Sequence, residues 1–102
     1  MNASNHNLPP PDVQAVNVTD DALTFELMDG RSITVPIVYY PTLMLATPAE
    51  RNNFEICHSS VYWPDLDCDI CSEHLLAGAK EAPYFVAKAY ERAAQRKRDN
   101  AA

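Results

Sequence analysis

Hydrophobic and polar residues alternate through the first third of the chain with the two-residue period of half-buried β-strands. Residues 13–18 are rich in β-branched side chains, and residues 22–28 and 31–37 alternate cleanly. The inward positions of the last two segments are Leu23, Phe25, Leu27, Ile33, Val35 and Ile37. The pattern predicts a three-stranded antiparallel meander with these side chains in the core.

Turn residues separate the three predicted strands. Residues 19–21 supply the first turn, and Asp29 with Gly30 forms the dipeptide that most strongly signals a hairpin. We expect a type I′ turn there, because that turn needs positive φ at both central residues. Pro36 cannot donate a ladder hydrogen bond, so we expect it at the end or edge of its strand.

Helical signals begin after residue 40. Residues 41–46 predict one helical turn. Thr47 occupies the N-cap position of the next helix, Pro48 its first position and Glu50 the reciprocal position of a capping box. Short strands are expected at residues 54–57 and 61–63.

A long helix is predicted at the carboxyl end. Ser72 can cap a helical turn that stops at Gly78, and Pro83 then opens a helix that runs to about Arg98. Its apolar stripe is Val86, Ala89, Tyr90 and Ala93, and its opposite face is Lys88, Arg92, Gln95 and Arg96.

The fold class is therefore α+β, with a three-stranded antiparallel meander, short strands, short helices and a longer C-terminal helix. Residues 1–12 are polar, end in three prolines and predict a flexible arm. Residues 13–79 form the α+β domain, and residues 80–102 form the helix with its basic end.

Charge is unevenly distributed along the 102 residues, which is the usual length of one domain. Residues 1–79 carry eleven acidic and two basic side chains, a net charge of −9, whereas residues 80–102 carry +3. Such a body should repel nucleic acid, and a basic protein is its expected partner. The two glycines exclude a glycine-rich loop that cradles phosphates.

Three sequence features indicate a cytoplasmic protein. The amino terminus is polar and lacks the apolar segment of a signal peptide. No apolar run approaches the roughly 20 residues that span a bilayer, so no membrane association is expected. Three cysteines are an odd number, which does not suit a closed disulfide framework.

Three aspartates alternate in the middle of the chain, at Asp65, Asp67 and Asp69. In an extended segment their carboxylates would point one way and could attract Ca²⁺ or Mg²⁺. An EF-hand loop is excluded, because Ile70 stands where it needs Gly and Leu76 where it needs Glu. We expect a solvated turn in which the last aspartate or Ser72 caps the next helical turn.

A second candidate metal site consists of Cys57, Cys68, Cys71 and His74. The spacing of Cys68 and Cys71 is that of a zinc knuckle, and His74 follows three residues later. The expectation is that no metal or cofactor is bound, with zinc as the alternative, because buried cysteines often simply pack. Catalysis by Cys57 and His58 is disfavoured, because neighbours on a strand point to opposite faces. We therefore expect no enzymatic activity.

The middle of the chain resembles domain of unknown function family 2442, a family of small uncharacterised bacterial proteins. The resemblance rests on residues 29–56 (DGRSITVPIVYYPTLMLATPAERNNFEI), 63–70 (WPDLDCDI) and 75–78 (LLAG). It implies a small α+β domain and genomic company with a second small protein, in an arrangement similar to toxin–antitoxin pairs. It implies no catalytic residues.

Candidate partner-binding residues lie in the aromatic and acidic segment and on the long helix. They are Tyr62, Trp63, Asp65, Asp67, Asp69, Tyr90, Arg92 and Arg96. Aromatic side chains with a polar tip anchor interfaces, and in a small domain they also close the core, so both interpretations stand. On the helix, Tyr90 is the best single anchor.

The leading hypothesis is a non-enzymatic interaction or regulatory domain, an antitoxin-like partner of another small bacterial protein. The stripe of the long helix is buried on its own meander, on a second copy or in a partner's groove, and all three stay open. The alternative function is a nucleic-acid-linked regulator whose basic run at residues 96–98 contacts phosphates.

Overall fold

The computed structural model describes residues 9–101 and folds the amino-terminal third of the chain into a three-stranded antiparallel sheet. Its strands, in spatial order, are β1 (Val13–Val18), β2 (Ala22–Leu27) and β3 (Ser32–Pro36). Five of the six predicted core side chains are buried, and Ile33 packs against them partly buried. The meander is confirmed, as is the position of Pro36 at the end of its strand.

The β2–β3 hairpin has a different turn from the predicted type I′. The Leu27 N–H donates to the Arg31 carbonyl at 2.8 Å, so three residues connect the strands rather than two. Gly30 has a φ of 96°, whereas Asp29 is not among the described residues with positive φ. A three-residue hairpin needs a left-handed residue only at its last position, and Gly30 supplies it.

The carboxyl end of the predicted arm is attached to the domain. The Pro11 carbonyl accepts a hydrogen bond from the Ser72 hydroxyl at 2.7 Å. The Asp12 carbonyl accepts from the Met28 N–H at 2.9 Å. Residues 1–8 of the predicted arm lie outside the described residues.

A second antiparallel sheet follows, and its last strand was not expected. Its strands, in spatial order, are β4 (Glu55–Cys57), β5 (Ser60–Trp63) and β6 (Cys68–Cys71). The first two match the predicted short strands. The third occupies the segment for which a solvated turn was predicted, because β5 offers its backbone as a partner and Cys68 and Ile70 are buried.

The helices are α1 (Pro41–Met44), α2 (Pro48–Asn52), α3 (Ser72–Leu76) and α4 (Pro83–Ala101), with 3-10 turns at Ile37–Tyr39 and Pro64–Leu66. The capping box of α2 is confirmed. Thr47 Oγ1 accepts from the Glu50 N–H at 3.1 Å, and Glu50 Oε1 accepts from the Thr47 N–H at 2.8 Å. Within residues 9–101, no helix combines the length and the hydropathy that a membrane crossing requires.

The predicted C-terminal end of α3 is confirmed, and its predicted N-cap is wrong. Its N-cap is Cys71 and not Ser72, because the fully buried Ser72 hydroxyl donates to Pro11 instead. At the other end, Gly78 takes a φ of 69°. The N–H groups of Gly78 and Ala79 donate to Leu75 and His74, as in a Schellman motif.

Arg51 is buried at the junction of the two sheets. Its Nε donates to the Leu43 carbonyl and its Nη2 to the Met44 carbonyl, each at 2.9 Å. Its Nη1 is 2.7 Å from Asp20 in the β1–β2 turn. The fully buried indole of Trp63 donates at 3.0 Å to the Arg51 carbonyl, which connects this junction to β5.

Helix α4 packs on α1 through a face that was predicted only in part. Ala89 is buried as expected, but Tyr90 is 53% exposed. Arg92 and Arg96, assigned to the opposite face, donate to the carbonyls of Leu66 and Leu45 at 3.4 and 2.6 Å. The aliphatic part of each arginine side chain packs on the domain, and its guanidinium group donates to a carbonyl at the end of a helical turn. The face of α4 that packs on the domain therefore includes these two arginines.

We predict that Thr47→Ala lowers the free energy of unfolding by about 1 kcal/mol, because the Glu50 N–H at the start of α2 loses the hydroxyl oxygen that accepts its hydrogen bond. Urea denaturation followed by circular dichroism measures the change. Thr47→Ser keeps the hydroxyl and serves as the control, which should unfold close to the parent protein. Equal stability of Thr47→Ala and the parent would contradict the cap's contribution.

Candidate interaction groove

A groove of about 580 Å³ lies beside β6. One wall is β6 with the 3-10 turn before it, and the other is the linker at residues 79–82 with the first half of α4. Leu66, Cys68 and Ile70 contribute an apolar floor. We call this cavity the β6 groove; its volume lies in the range of ligand-binding clefts.

Hydrogen bonds fix the linker that forms the second wall. The Tyr40 hydroxyl donates to the Ala79 carbonyl at 2.8 Å, and the Glu81 N–H donates to the Tyr39 carbonyl at 2.9 Å. The Glu81 carboxylate accepts from the Thr42 N–H at 3.0 Å and from its hydroxyl at 2.6 Å. Glu81 thus satisfies an amide in the first turn of α1 and holds the linker against it.

The helical wall is aromatic and basic. The rings of Tyr84 and Phe85 meet edge to face at 5.2 Å between centroids, and both side chains are substantially exposed. Lys88 lies with its Nζ 5.5 Å from the centroid of the Tyr84 ring. Arg92 reaches across the groove to the Leu66 carbonyl. The wall therefore presents π-faces and positive charge to anything that enters.

The opposite wall is acidic. Asp67 and Asp69 line the groove beside the buried Cys68. Asp67 has a φ of 49°, a left-handed conformation that aspartate tolerates and that ends the preceding 3-10 turn. Opposite charges therefore face each other across an apolar floor, an arrangement that suits a ligand with both apolar and charged groups.

Cys68 is a buried thiol and is not poised to react. Burial first, and then the negative charges of Glu81 and Asp69, together raise its pKa to about 12, although the positive charge of Arg92 lowers it. Tyr40 behaves alike: burial, and then the charge of Glu81, raises its pKa to about 12. A thiol protonated at neutral pH is a poor nucleophile and a poor metal ligand.

The predicted zinc ligands are spread over the second sheet. Cys68 and Cys71 lie three positions apart on β6, so their side chains point to opposite faces of the sheet. Cys57 is exposed on β4, and His74 lies on α3 beside the groove. Within residues 9–101, no three histidine, cysteine or acidic side chains come together as a metal site would require. His58 occupies the β4–β5 turn with a φ of 54°.

The three aspartates that alternate in the sequence do not share one face. Asp65 lies in the 3-10 turn and accepts a hydrogen bond from Asn53 at 2.9 Å. Asp67 follows that turn in its left-handed conformation, and only Asp69 lies on β6. The single extended row that the Ca²⁺ or Mg²⁺ alternative required is therefore absent from this segment.

The other candidate partner-binding residues are divided by the fold. Trp63 is fully buried and closes the core, so it cannot contact a partner. Tyr62 is partly exposed on the outer face of the second sheet, paired with Asp69. Arg92 lines the groove, whereas Tyr90 and Arg96 lie outside it. Arg96 Nη1 instead lies 3.7 Å from Glu50 Oε1 on α2.

Sequence reasoning missed the residues that build the second wall. Tyr40 and Glu81 act on partners 39 positions away, and no local pattern shows such a contact. The helical period places Tyr90 on the predicted apolar stripe and leaves Phe85 off it. The available signal was a pair of adjacent aromatic residues immediately after Pro83, at a helix start where few side chains are buried.

A family model described as a protein of unknown function (DUF2442) matches residues 13–81. An uncharacterised protein from Chromobacterium violaceum, solved by solution NMR, superposes with a TM-score of 0.60 at 21% identity, over 76% of this chain and 74% of that one. A crystal structure of a protein of unknown function from Rhodospirillum rubrum gives 0.61 at 18% identity, over 76% and 99%. Identities this low support the fold alone. No curated protein matches the chain.

The raised pKa of Cys68 predicts a loss of stability in alkali. Below its ordinary value of 9.0, both folded and unfolded chains hold the proton; as pH rises toward about 12, only the folded chain does. The free energy of unfolding should therefore fall, by about 1.4 kcal/mol from this group at about pH 10. Urea denaturation at neutral and alkaline pH measures the slope.

Cys68→Ala should remove this alkaline loss of about 1.4 kcal/mol, because the variant has no thiol to titrate at this position. Any change in its stability at neutral pH is a separate effect of the substitution. Cys57→Ala removes an exposed cysteine instead and should keep the parent's slope. If the Cys68→Ala variant loses as much stability in alkali as the parent, the effect does not come from Cys68.

Proposed function

We propose that this chain, which belongs to the DUF2442 family of proteins of unknown function, is a non-enzymatic interaction domain that binds a protein partner in the β6 groove. The observation that carries the proposal is the groove itself. It combines exposed aromatic side chains, an apolar floor and charged groups of both signs. Known interfaces combine the same three components.

The aromatic pair of the helical wall supports a macromolecular partner. Tyr84 is 64% exposed and Phe85 is 46% exposed, although aromatic side chains usually bury most of their surface in the core of a domain. Aromatic side chains supply much of the binding energy at protein interfaces when a partner excludes water from them. Tyr84 and Phe85 lie beside the apolar floor of the groove, so they can serve as the anchor residues of an interface.

The acidic wall of the groove, which lies opposite the basic wall of α4, supports a partner whose basic side chains lie along β6. Asp67 and Asp69 border the groove on a body whose net charge is −9 over residues 1–79. Such a field accelerates encounter with a positively charged protein. In this proposal the domain acts as an antitoxin-like regulator that occupies another small protein. The three free cysteines support a reducing, cytoplasmic setting.

The nucleic-acid hypothesis receives less support from the same helix. Arg92 and Arg96 donate to carbonyls of the domain, so the basic surface available for phosphates is smaller than the sequence indicated. Lys97 and Arg98 remain exposed near the helix end. A nucleic-acid role stays a prediction, and strongly salt-dependent DNA binding is its test.

The proposal is tested with two aromatic positions of α4. Phe85→Asp places a charge on the groove wall, in the first turn of the helix where an acidic residue is tolerated. Tyr90→Asp is the matched control, because Tyr90 is similarly exposed but does not line the groove. Immobilised parent and variants are incubated with a bacterial lysate, and each captured protein is purified and titrated against all three.

We expect a protein that binds the parent and Tyr90→Asp but binds Phe85→Asp at least about tenfold more weakly, as for loss of an interface anchor. Circular dichroism establishes that each variant is folded. A partner lost on Tyr90→Asp and kept on Phe85→Asp would overturn the groove as the binding surface and leave the outer helix face in its place. A partner that binds the parent and both variants equally well would also overturn the proposal.

A further inference from the structure

We infer that the β6 groove takes its partner as an extended, basic segment that adds a strand to the open edge of β6. This inference rests on the proposed function, since it specifies how the groove binds. The open backbone of β6, the chemistry of its two faces and the charge of Asp69 each support it.

The open edge follows from the strand order and the hydrogen-bond alternation. β6 is the last strand of its sheet, and β5 pairs with one side of it. The Ser72 N–H donates to the Ser59 carbonyl at 2.7 Å, which continues the β5–β6 ladder. In an antiparallel ladder every second residue bonds across, so Asp69, three positions earlier, directs its N–H and C=O away from β5.

This unpaired backbone faces the groove. Asp69 and its neighbours on β6 form the first wall, and no other strand of residues 9–101 joins that side. Strand edges with unpaired N–H and C=O groups are templates for another chain, and peptide-binding domains use them in this way. The groove supplies the space that an added strand needs.

The two faces of β6 determine the side chains of the added strand. On the inner face, Cys68 and Ile70 border the apolar floor, so inward side chains should be apolar. On the outer face, Glu55, Tyr62 and Asp69 stand in one row across the three strands. A lysine or arginine beside Asp69 would extend that row with an opposite charge. The expected segment alternates apolar and basic residues.

Charge also discriminates between occupants. A second copy that paired edge to edge would bring its own Asp69 near this one, and like charges on adjacent strands are destabilising. The first eight residues of this chain, MNASNHNL, contain no lysine or arginine and therefore do not match the expected pattern. A basic segment from another protein fits best.

The test uses a fluorescent peptide of about seven residues in which valine and lysine alternate, since alternate side chains carry the specificity of an added strand. Binding is measured by anisotropy against the full chain. Asp69→Pro removes the outward N–H but leaves the β5 ladder intact, because proline is tolerated at sheet edges. Asp69→Ala keeps the N–H and is the control for the lost carboxylate.

We expect Asp69→Ala to weaken binding a few-fold and Asp69→Pro to weaken it at least about tenfold more, because the peptide carbonyl that accepted from the residue-69 N–H is then left unpaired, in addition to the lost charge. If Asp69→Pro does not fold, N-methylated peptides replace it. Methylation of alternate amides in the edge-facing register should abolish binding to the parent, whereas methylation shifted by one residue should not.

Several results would overturn strand addition. They are no binding up to about 1 mM peptide, binding indifferent to both Asp69→Pro and N-methylation, dimerisation of the parent abolished by Asp69→Pro, or strong tightening of peptide binding on deletion of residues 1–8. If a peptide or captured protein still depends on Phe85, groove binding stands and only its strand geometry fails.

Discussion

A buried guanidinium, that of Arg51, joins the parts on which the remaining structure depends. It donates to the last two carbonyls of α1, and the Leu43 carbonyl also accepts from the Ala46 N–H at 3.2 Å. The Asp20 side chain is 92% exposed, so water screens that ion pair and the carbonyl bonds contribute more. Removal of the guanidinium would leave the Leu43 and Met44 carbonyls without these donors, a costly change in a buried site.

The groove depends on this junction through a short series of contacts. Arg51 holds α1, and α1 presents the Thr42 amide that the Glu81 carboxylate binds. Tyr40, at the start of α1, holds the linker through Ala79. The linker then sets where α4 begins, and Arg92 closes the distance to the 3-10 turn before β6. The groove is consequently built from the same contacts that stabilise the core.

The sequence predicted the elements whose signals are local. The alternation of residues 13–37 and the Thr47 capping box each involve neighbours within a few positions, and both are confirmed. The turn at Gly30 was wrong in type, because loop length depends on the register of two strands and not on the dipeptide. β6 was missed because aspartates favour turns, whereas its pairing with β5 outweighed that preference.

The candidate site was harder to predict, since its walls meet only after folding. Arg92 and Arg96 were predicted to lie opposite the apolar stripe and to bind a partner, yet they donate to carbonyls of the domain itself, those of Leu66 and Leu45. Trp63 and Tyr62 are neighbours in sequence, and strand alternation buries one and exposes the other. Helical periodicity identified Ala89 correctly but gave no indication of where α4 would dock.

The family match ends at residue 81, immediately before α4. β6 and most of the linker at residues 79–82 therefore lie in the matched part of the chain, and the helical part of the second wall lies beyond it. In the proposed binding mode, substitutions at the exposed Tyr84 and Phe85 would change recognition and leave the two sheets intact.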